Sequence, residues 1–361
     1  MKNPLNGLGF PLFAPFEKLH KITIVYNRTT GGEKNEELAL TDDDTLEDVR
    51  QVKNTLTPTG VKISVFGLDE KNIKKLKNIK TDLIFNLCYG IGNRSDSEKE
   101  LYEFFDTLKI PYTGGPADAV VLTNDKAATK KLLLKNTIPT PEYLLISSIA
   151  ELDPVKFRFP LFLKTLDLGC SIGIDQDSVV LDRTALVKKA ARLLDKYHKQ
   201  ILIEEFIDGR EFAVTVVGNG RFSEVLPVVE ILFGPLFDKS TRWKIFDYES
   251  KWQINSPFYV QSPYKCPAVL DRNTEDNLKK ICLKTYKLCG CRDYARIDVR
   301  MDRQNNPFVL EVNLNPSIGR HSQMHKSAMA LGLSFRDLIK TVISVSLFRF
   351  YGPSYISSGR L

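Results

Sequence analysis

The sequence predicts a mixed α/β and α+β protein, with a parallel, doubly wound amino-terminal sheet followed by antiparallel units. Three observations predict it. Short apolar runs at 22–26, 61–66 and 82–88 alternate with helical patterns, the order of a parallel sheet with crossover helices. Past residue 200, ILIEEFI (201–207) and REFAVTVV (210–217) follow one another around the turn Asp208-Gly209, with no helix between them. Finally, YARIDVRMDRQNNPFVLEVNLNP (294–316) reads as a hairpin closed by the turn residues Gln304-Asn305-Asn306-Pro307.

In chain order, ITIVY (22–26) is a buried strand, and a polar loop follows with Thr29, Thr30, Gly31 and Gly32. Residues 45–56 form a helix with Leu46, Val49, Val52 and Leu56 on one side. VKISVF (61–66) and DLIFNLC (82–88) are strands, and the lysines of 71–80 decorate a helix surface between them. Residues 98–108 are an amphipathic helix, and IPYTGGP (110–116) is a short strand ending in a turn. A first domain thus spans residues 1–122. NDKAATKKLLLK (124–135) opens a new helix with Asn124 as its N-cap. PLFLKTL (160–166) is a strand that leads into the glycine-containing loop LGCSIGID (168–175), and 184–197 is a helix. These pieces make a unit over 123–203, and a larger domain occupies 204–361. Residues 233–267, rich in proline and aromatics, have little regular pattern, the mark of a functional or mobile loop. The apolar stretch 338–348 is interrupted by Lys340 and too short to span a bilayer, so it is a docked helix.

The chain has 361 residues and a net charge of +7, from 51 Lys and Arg against 44 Asp and Glu. Hydrophobic residues are 43%, which excludes a disordered chain. The basic excess is spread along the sequence, with no arginine-rich arm, so no nucleic-acid partner is expected. None of the six cysteines forms a CxxC pair, and a reducing, cytoplasmic setting fits them best. The first 21 residues have no continuous apolar core of the kind a signal peptide needs, and no membrane partner is expected.

The hairpin carries the chemistry. Centred between Gln304 and Asn305, it sets Asp298 opposite Glu311 and Arg296 opposite Asn313, all on one side. The other side collects Ile297, Val299, Met301, Phe308, Leu310 and Val312. Asp298, Glu311 and Asn313 offer only hard oxygen ligands, which suit Mg²⁺ or Mn²⁺ and disfavour zinc. Arg296 beside them can hold a phosphate or a developing oxyanion.

An ordered set of motifs over about residues 20–345 resembles the ATP-grasp ligases, and among them the D-alanine–D-alanine ligase family. The motifs are DKAATKKLL, PLFLKT with GCSIGI, ILIEEFIDGREFAV, FDYESKW, and YARIDVR with FVLEVNLNP and HS. The resemblance implies an ATP-grasp fold with a Rossmann-like amino-terminal domain and ATP held between the last two domains. It implies that Lys126, Lys164 and Lys251 contact phosphates, that Glu204, Glu205 and Ile207 meet the adenine, and that Glu211 binds the ribose. Backbone N–H groups of 169–173 would cover the phosphates. Two Mg²⁺ (or Mn²⁺) ions would sit on Asp298, Glu311 and Asn313. Arg296, Ser171 and Ser322 would be catalytic, with His321 and Ser322 beside the second substrate and Gln323 adding a polar group next to them. A homodimer is the family's habit.

The ATP half of the pattern matches and the amino-acid half departs from it. Tyr89 stands where the family has histidine, Cys170 where it has serine, and Trp252 where it has tyrosine; indole can only donate a hydrogen bond. IGNRSDSE (91–98) replaces an acidic Gly-rich stretch, and Asn315-Pro316-Ser317 replaces Ser-Pro-Gly. The glutamate that binds the donor ammonium has three candidates, Glu33, Glu36 and Glu37. The expected function is an ATP-dependent carboxylate–amine ligase working through an acylphosphate. D-Ala–D-Ala synthesis for peptidoglycan competes with a specialised ligase whose donor is another amino acid or a larger carboxylate. A non-catalytic nucleotide-binding relative is disfavoured, because the lysines, Arg296 and the metal ligands are all retained.

Overall fold

The computed structural model describes residues 16–29, 36–92, 94–152 and 158–352, with backbone only at 36–41 and 95. The amino-terminal region contains β1 (Lys21–Asn27), α1 (Glu36–Leu56), β2 (Lys62–Leu68), β3 (Leu83–Leu87) and α2 (Glu98–Leu108). The three strands are parallel in the order β2-β1-β3. Ile22, Ile24 and Val25 of β1 are fully buried because both faces of the sheet are covered. Val49, Val52 and Leu56 of α1 share one core cluster with Ile22 and Ile24, while Leu101, Tyr102 and Phe105 of α2 share another with Val25 and Ile84. Helix α1 starts at Glu36, well before residue 45, because the run Asp42-Asp43-Asp44 hides its apolar period without breaking its backbone. Residues 110–116 form only a single bridge, Ile84 to Tyr112, and the lysine-rich segment is a 3-10 turn, Ile73–Asn78.

Next come α3 (Ala117–Asn124), α4 (Lys126–Lys135), β4 (Tyr143–Ile146), β5 (Leu161–Thr165), β6 (Val179–Val180), α5 (Arg183–Tyr197) and β7 (Ile201–Glu205). The strands are antiparallel in the order β4-β7-β5-β6, with Leu161, Leu163 and Ile203 packed on Leu186, Ala190 and Leu193 of α5. The N-cap of α4 is Asp125, whose side chain accepts from the Ala128 N–H, and not the expected Asn124. Asn124 is the last residue of α3, and its amide donates instead to Glu98.

The carboxy-terminal region holds β8 (Arg210–Val217), β9 (Glu224–Val225), β10 (Val229–Ile231), α6 (Pro235–Lys239), α7 (Tyr248–Trp252), α8 (Pro257–Val260), β11 (Tyr264–Lys265), α9 (Arg272–Leu288), β12 (Tyr294–Met301), β13 (Pro307–Asn313), α10 (Gln323–Ala330) and α11 (Phe335–Tyr351). Its antiparallel sheet runs β11-β10-β8-β12-β13, with β9 on β8. The segment expected to lack regular structure therefore holds three short helices and an edge strand. Each of those helices starts at a proline or a capped position, signals too local to show as a period.

Arg296 pairs with Asn313 and Asp298 with Glu311, as alternation predicts. A bulge between Asp298 and Val299 then shifts the register, so Val299 faces Val309 and Arg300 faces Phe308. The expected core positions Phe308 and Leu310 are corrected by it: Val309 is fully buried, whereas Leu310 lines the cleft with Glu311. Asp293, fully buried, binds Arg349 of α11, Ser346 and the Gly114 N–H, tying the carboxy-terminal helix to the amino-terminal region. No described helix is long and apolar enough to cross a membrane. All six cysteines are free.

Candidate active site

A cleft of about 930 Å³ opens where the second and third sheets face one another. Strand alternation directs its polar lining. Arg296, Asp298 and Arg300 project from one face of β12, Glu211 from β8, Glu311 from β13, and Lys164 and Glu204 from β5 and β7. Phe162, Ile174, Phe206, Ile231, Ile245 and Leu310 make an apolar slot at the same cleft.

Glu204 is buried between two lysines. Its Oε1 lies 2.6 Å from Lys130 Nζ and its Oε2 lies 2.9 Å from Lys164 Nζ. Burial raises the Glu204 pKa, but the two ammonium groups outweigh it and hold the carboxyl below its ordinary value. Lys164 is the mirror case. Burial opposes its charge, and Glu204 and Glu311 more than restore it. Lys126 donates to the carbonyls of Leu166 (3.1 Å) and Leu168 (2.9 Å), so it props the glycine-containing loop, and burial lowers its pKa.

Asp298 accepts two bonds from Arg296, at 2.7 and 2.8 Å, and a third from the Asn313 amide at 3.0 Å. Burial and the neighbouring Glu311 raise its pKa against the pull of Arg296. At Glu311 the balance reverses. Burial is opposed by Lys126, Lys164, Arg296 and Lys251, and the carboxyl falls to about 2. The cleft therefore holds carboxyl oxygens, those of Glu311 ionised, in a strongly cationic surround. The donor set fits a hard divalent cation, provided the Asn313 amide turns its oxygen rather than its nitrogen toward the carboxylates. Asn313 itself does not line the cleft and reaches it through Asp298 and Glu311.

Segment 240–253 closes over the loop at 168–175. Ser171 Oγ donates to Phe246 O at 3.0 Å, Trp252 Nε1 donates to Cys170 O at 2.8 Å, and the Tyr248 N–H donates to Ile174 O at 3.0 Å. Cys170 and Ser171 both have positive φ, 58° and 59°, a conformation non-glycine residues seldom adopt and one that closure holds in place. Lys251 enters the cleft with this segment, and Glu205 and Ile207 line the cleft beside Phe206.

Comparison with known proteins agrees with this geometry. The profile of the family described as "D-ala D-ala ligase C-terminus" matches residues 138–344. The D-alanine–D-alanine ligase of Bordetella pertussis is 30% identical over 84% of this chain and 90% of its own length. The chain belongs to the D-alanine–D-alanine ligase family. An uncharacterized protein of Sinorhizobium fredii, y4sG, is 32% identical over 75% of this chain and 76% of its own. The crystal structure of the Bacillus anthracis ligase complexed with ATP superposes with a TM-score of 0.70, at 20% identity, over 92% of this chain and 99% of that one. The Coxiella burnetii ligase superposes at 0.68 and 18% identity, over 93% of this chain and 96% of that one. The fold is thus that of the ATP-grasp ligases, and the chain is an ATP-dependent ligase of this family.

Within the ligase, the remaining expected residues lie outside this cleft, apart from Gln323. The Tyr89 hydroxyl donates to Asp42, which also accepts from Thr29 Oγ1 at 2.9 Å. His321 lines a separate open cavity with Arg50, Arg320 and Phe335. The Ser322 side chain is committed as the N-cap of α10, accepting from the His325 N–H at 3.1 Å, while Gln323 lines the main cleft. Ser317 Oγ donates to Asp48 at 3.0 Å and Asn315 donates to Cys88 O at 2.9 Å, so the departing Asn-Pro-Ser segment docks on the amino-terminal region. Glu33 lies outside the described residues, as do the side chains of Glu36 and Glu37. Asp42 of α1 meets Tyr89, and Asp44 of the same helix lies within electrostatic reach of Lys251 and His321.

Sequence reasoning missed Lys130, Arg300, Asp42, Asp44 and Asp48. Arg300 was legible, since alternation from Arg296 and Asp298 reaches it. Lys130 lies one helical turn after Lys126, a weaker signal on a lysine-rich helix.

Proposed function

We propose that this ligase joins a carboxylate donor to an amine through an acylphosphate, with ATP in the cleft and Mg²⁺ or Mn²⁺ at Asp298, Glu311 and Asn313. The observation that carries the reading is the convergence of Lys126, Lys164, Lys251 and Arg296 on the same cleft as Glu311 and Asp298. A carboxylate is a poor acyl donor, and bound Mg-ATP would supply the phosphoryl group that gives it a phosphate leaving group. Lys164 and Lys251 then neutralise phosphate charge, while Lys126 holds the loop whose backbone N–H groups face the phosphates. Arg296, fixed by the two bonds it donates to Asp298, stabilises the oxyanion formed when the amine attacks. Glu205 and Ile207 sit beside the base. Ser171 acts through the lid bond to Phe246, which excludes water from the acylphosphate. In domain terms, residues 123–203 and 204–361 grip the nucleotide, and residues 1–122 present the amino-acid substrates.

The donor is other than D-alanine in this reading. Tyr89 paired with Asp42, and Trp252 bonded to the Cys170 carbonyl, replace a small hydrogen-bonded shell with bulkier side chains. D-Ala–D-Ala synthesis for the cell wall is the competing reading, supported by the 30% identity to the Bordetella pertussis ligase. ADP release with Mg²⁺, scanned over pairs of D- and L-amino acids and larger carboxylates with mass analysis of the product, separates them. A requirement for D-alanine alone sinks the specialised donor, and no ADP release from any pair sinks the ligase reading of this cleft.

A further inference from the structure

Arg300 is a second buried arginine on the site face of β12. It is 5% exposed, and its guanidinium is held on every side but one. Nη1 donates to Glu211 Oε2 at 3.0 Å and to Lys244 O at 3.0 Å. Nη2 donates to Gly209 O at 3.1 Å and to Lys244 O at 3.0 Å. Its face lies over the Phe206 ring, 5.0 Å from the centroid. Nε, also buried, has no partner among the described residues. Three backbone bonds and an aromatic face make this guanidinium a rigid plane, which a lysine ammonium could not reproduce.

Glu211 faces Arg300 across the β8–β12 ladder, and Asp298 faces Ala213 two residues along. Two strand residues span roughly 7 Å. Beyond Asp298, away from Arg296, the cleft therefore offers first the Arg300–Glu211 pair and then the apolar slot around Phe206. A nucleotide with its terminal phosphates at Asp298 and Glu311 and its base in that slot brings its sugar to Glu211. Of the nucleotide's three parts only the sugar carries hydroxyl groups, and a carboxylate accepts from hydroxyls. Arg300 occupies one Glu211 oxygen, and the carboxylate makes no other hydrogen bond among the described residues.

We propose that Arg300 is a positioning residue for nucleotide selection: by clamping Glu211 Oε2 it aims the remaining oxygen at the sugar, so the cleft prefers a ribonucleotide to its 2′-deoxy counterpart. The inference rests on the placement of ATP in this cleft, and its test separates the two. Equilibrium binding of Mg-ATP and Mg-2′-deoxyATP is measured by calorimetry on the full chain, for the unaltered protein, Arg300→Met, Arg300→Lys and Glu211→Gln.

The unaltered protein should prefer ATP by roughly tenfold or more, the size of one hydrogen bond to a charged group. Arg300→Met should weaken ATP and bring the two ligands within about threefold of each other, with Arg300→Lys intermediate because it keeps the charge without the planar fork. A merely structural role would weaken both ligands alike and leave the ratio unchanged, which overturns the proposal. Equal binding of both ligands by the unaltered protein also overturns it. Should Arg300→Met fail to fold, Glu211→Gln decides, since it removes the aimed carboxylate and leaves the arginine; an unchanged ratio there overturns the proposal too. Binding of neither ligand to the unaltered protein overturns the placement of ATP, and the inference with it.

Discussion

Lys130 and Glu204 form an ion pair of 2.6 Å with both side chains almost wholly withdrawn from solvent. Lys130 Nζ also donates to Thr140 Oγ1 at 2.7 Å, and Thr140 donates to Val309 O at 2.7 Å, which joins α4 to β13. Burying charges costs energy that only close pairing offsets, so this lysine holds both the fold and the orientation of Glu204 against Lys164. Lys130→Met should destabilise the protein by about 3–5 kcal/mol, because it leaves Glu204 one cation short. Urea denaturation checks this, and a loss under about 1 kcal/mol would show the pair contributes little.

Glu311→Gln keeps the shape of β13 and removes the charge that four cations hold ionised. Turnover should fall at least about a hundredfold while the melting transition stays within a few degrees. ADP release and thermal denaturation on one preparation check both. Near-normal turnover would remove Glu311 from the metal site.

Trp252→Phe deletes the Nε1–H bond to Cys170 O and leaves a ring in place. One neutral hydrogen bond contributes about 0.5–1.5 kcal/mol, so the lid should open more often without the protein unfolding. The ratio of ADP released to amide formed should rise, as water reaches the acylphosphate. An unchanged ratio would mean the indole does not hold the lid shut.

Asp48 is buried against Asp44, and these two causes raise its pKa to about 6 although Ile318, Ser317 and Gly319 donate to it. A carboxyl raised above its ordinary value favours the folded state most when protonated. Its contribution is therefore full below about pH 4 and is lost as pH rises to 6, costing about 2–3 kcal/mol above that. Asp48→Asn still accepts from Ser317 and Ile318 through its amide oxygen, and should be more stable than the unaltered protein at pH 7.5 but equal to it at pH 4. Denaturation at the two pH values checks this; the same difference at both would exclude titration of Asp48 as its cause.

The charged hairpin face was legible because strand alternation is local: Arg296, Asp298, Glu311 and Asn313 follow from period two and a turn. The bulge at Asp298/Val299 was not, since an extra residue in one strand costs no change of composition and is decided by how β13 packs on the core. It moved Val309 inward and brought Leu310 to the cleft. The start of α4 slipped by one residue because Asn124 and Asp125 are both good caps, and the choice fell to the contact of Asn124 with Glu98.

By itself the sequence determined the alternation of elements, the face of the hairpin and the motif order that names the family. These rest on backbone periods and on which side chains can bond to their neighbours in the chain. Tertiary structure alone decided that Glu204 sits between Lys130 and Lys164, that Arg300 clamps Glu211, and that Asp42 meets Tyr89 across 47 residues. The reason is physical. A buried charge must find its counter-charge in space, and nothing in the spacing of residues along the chain says which one will be near.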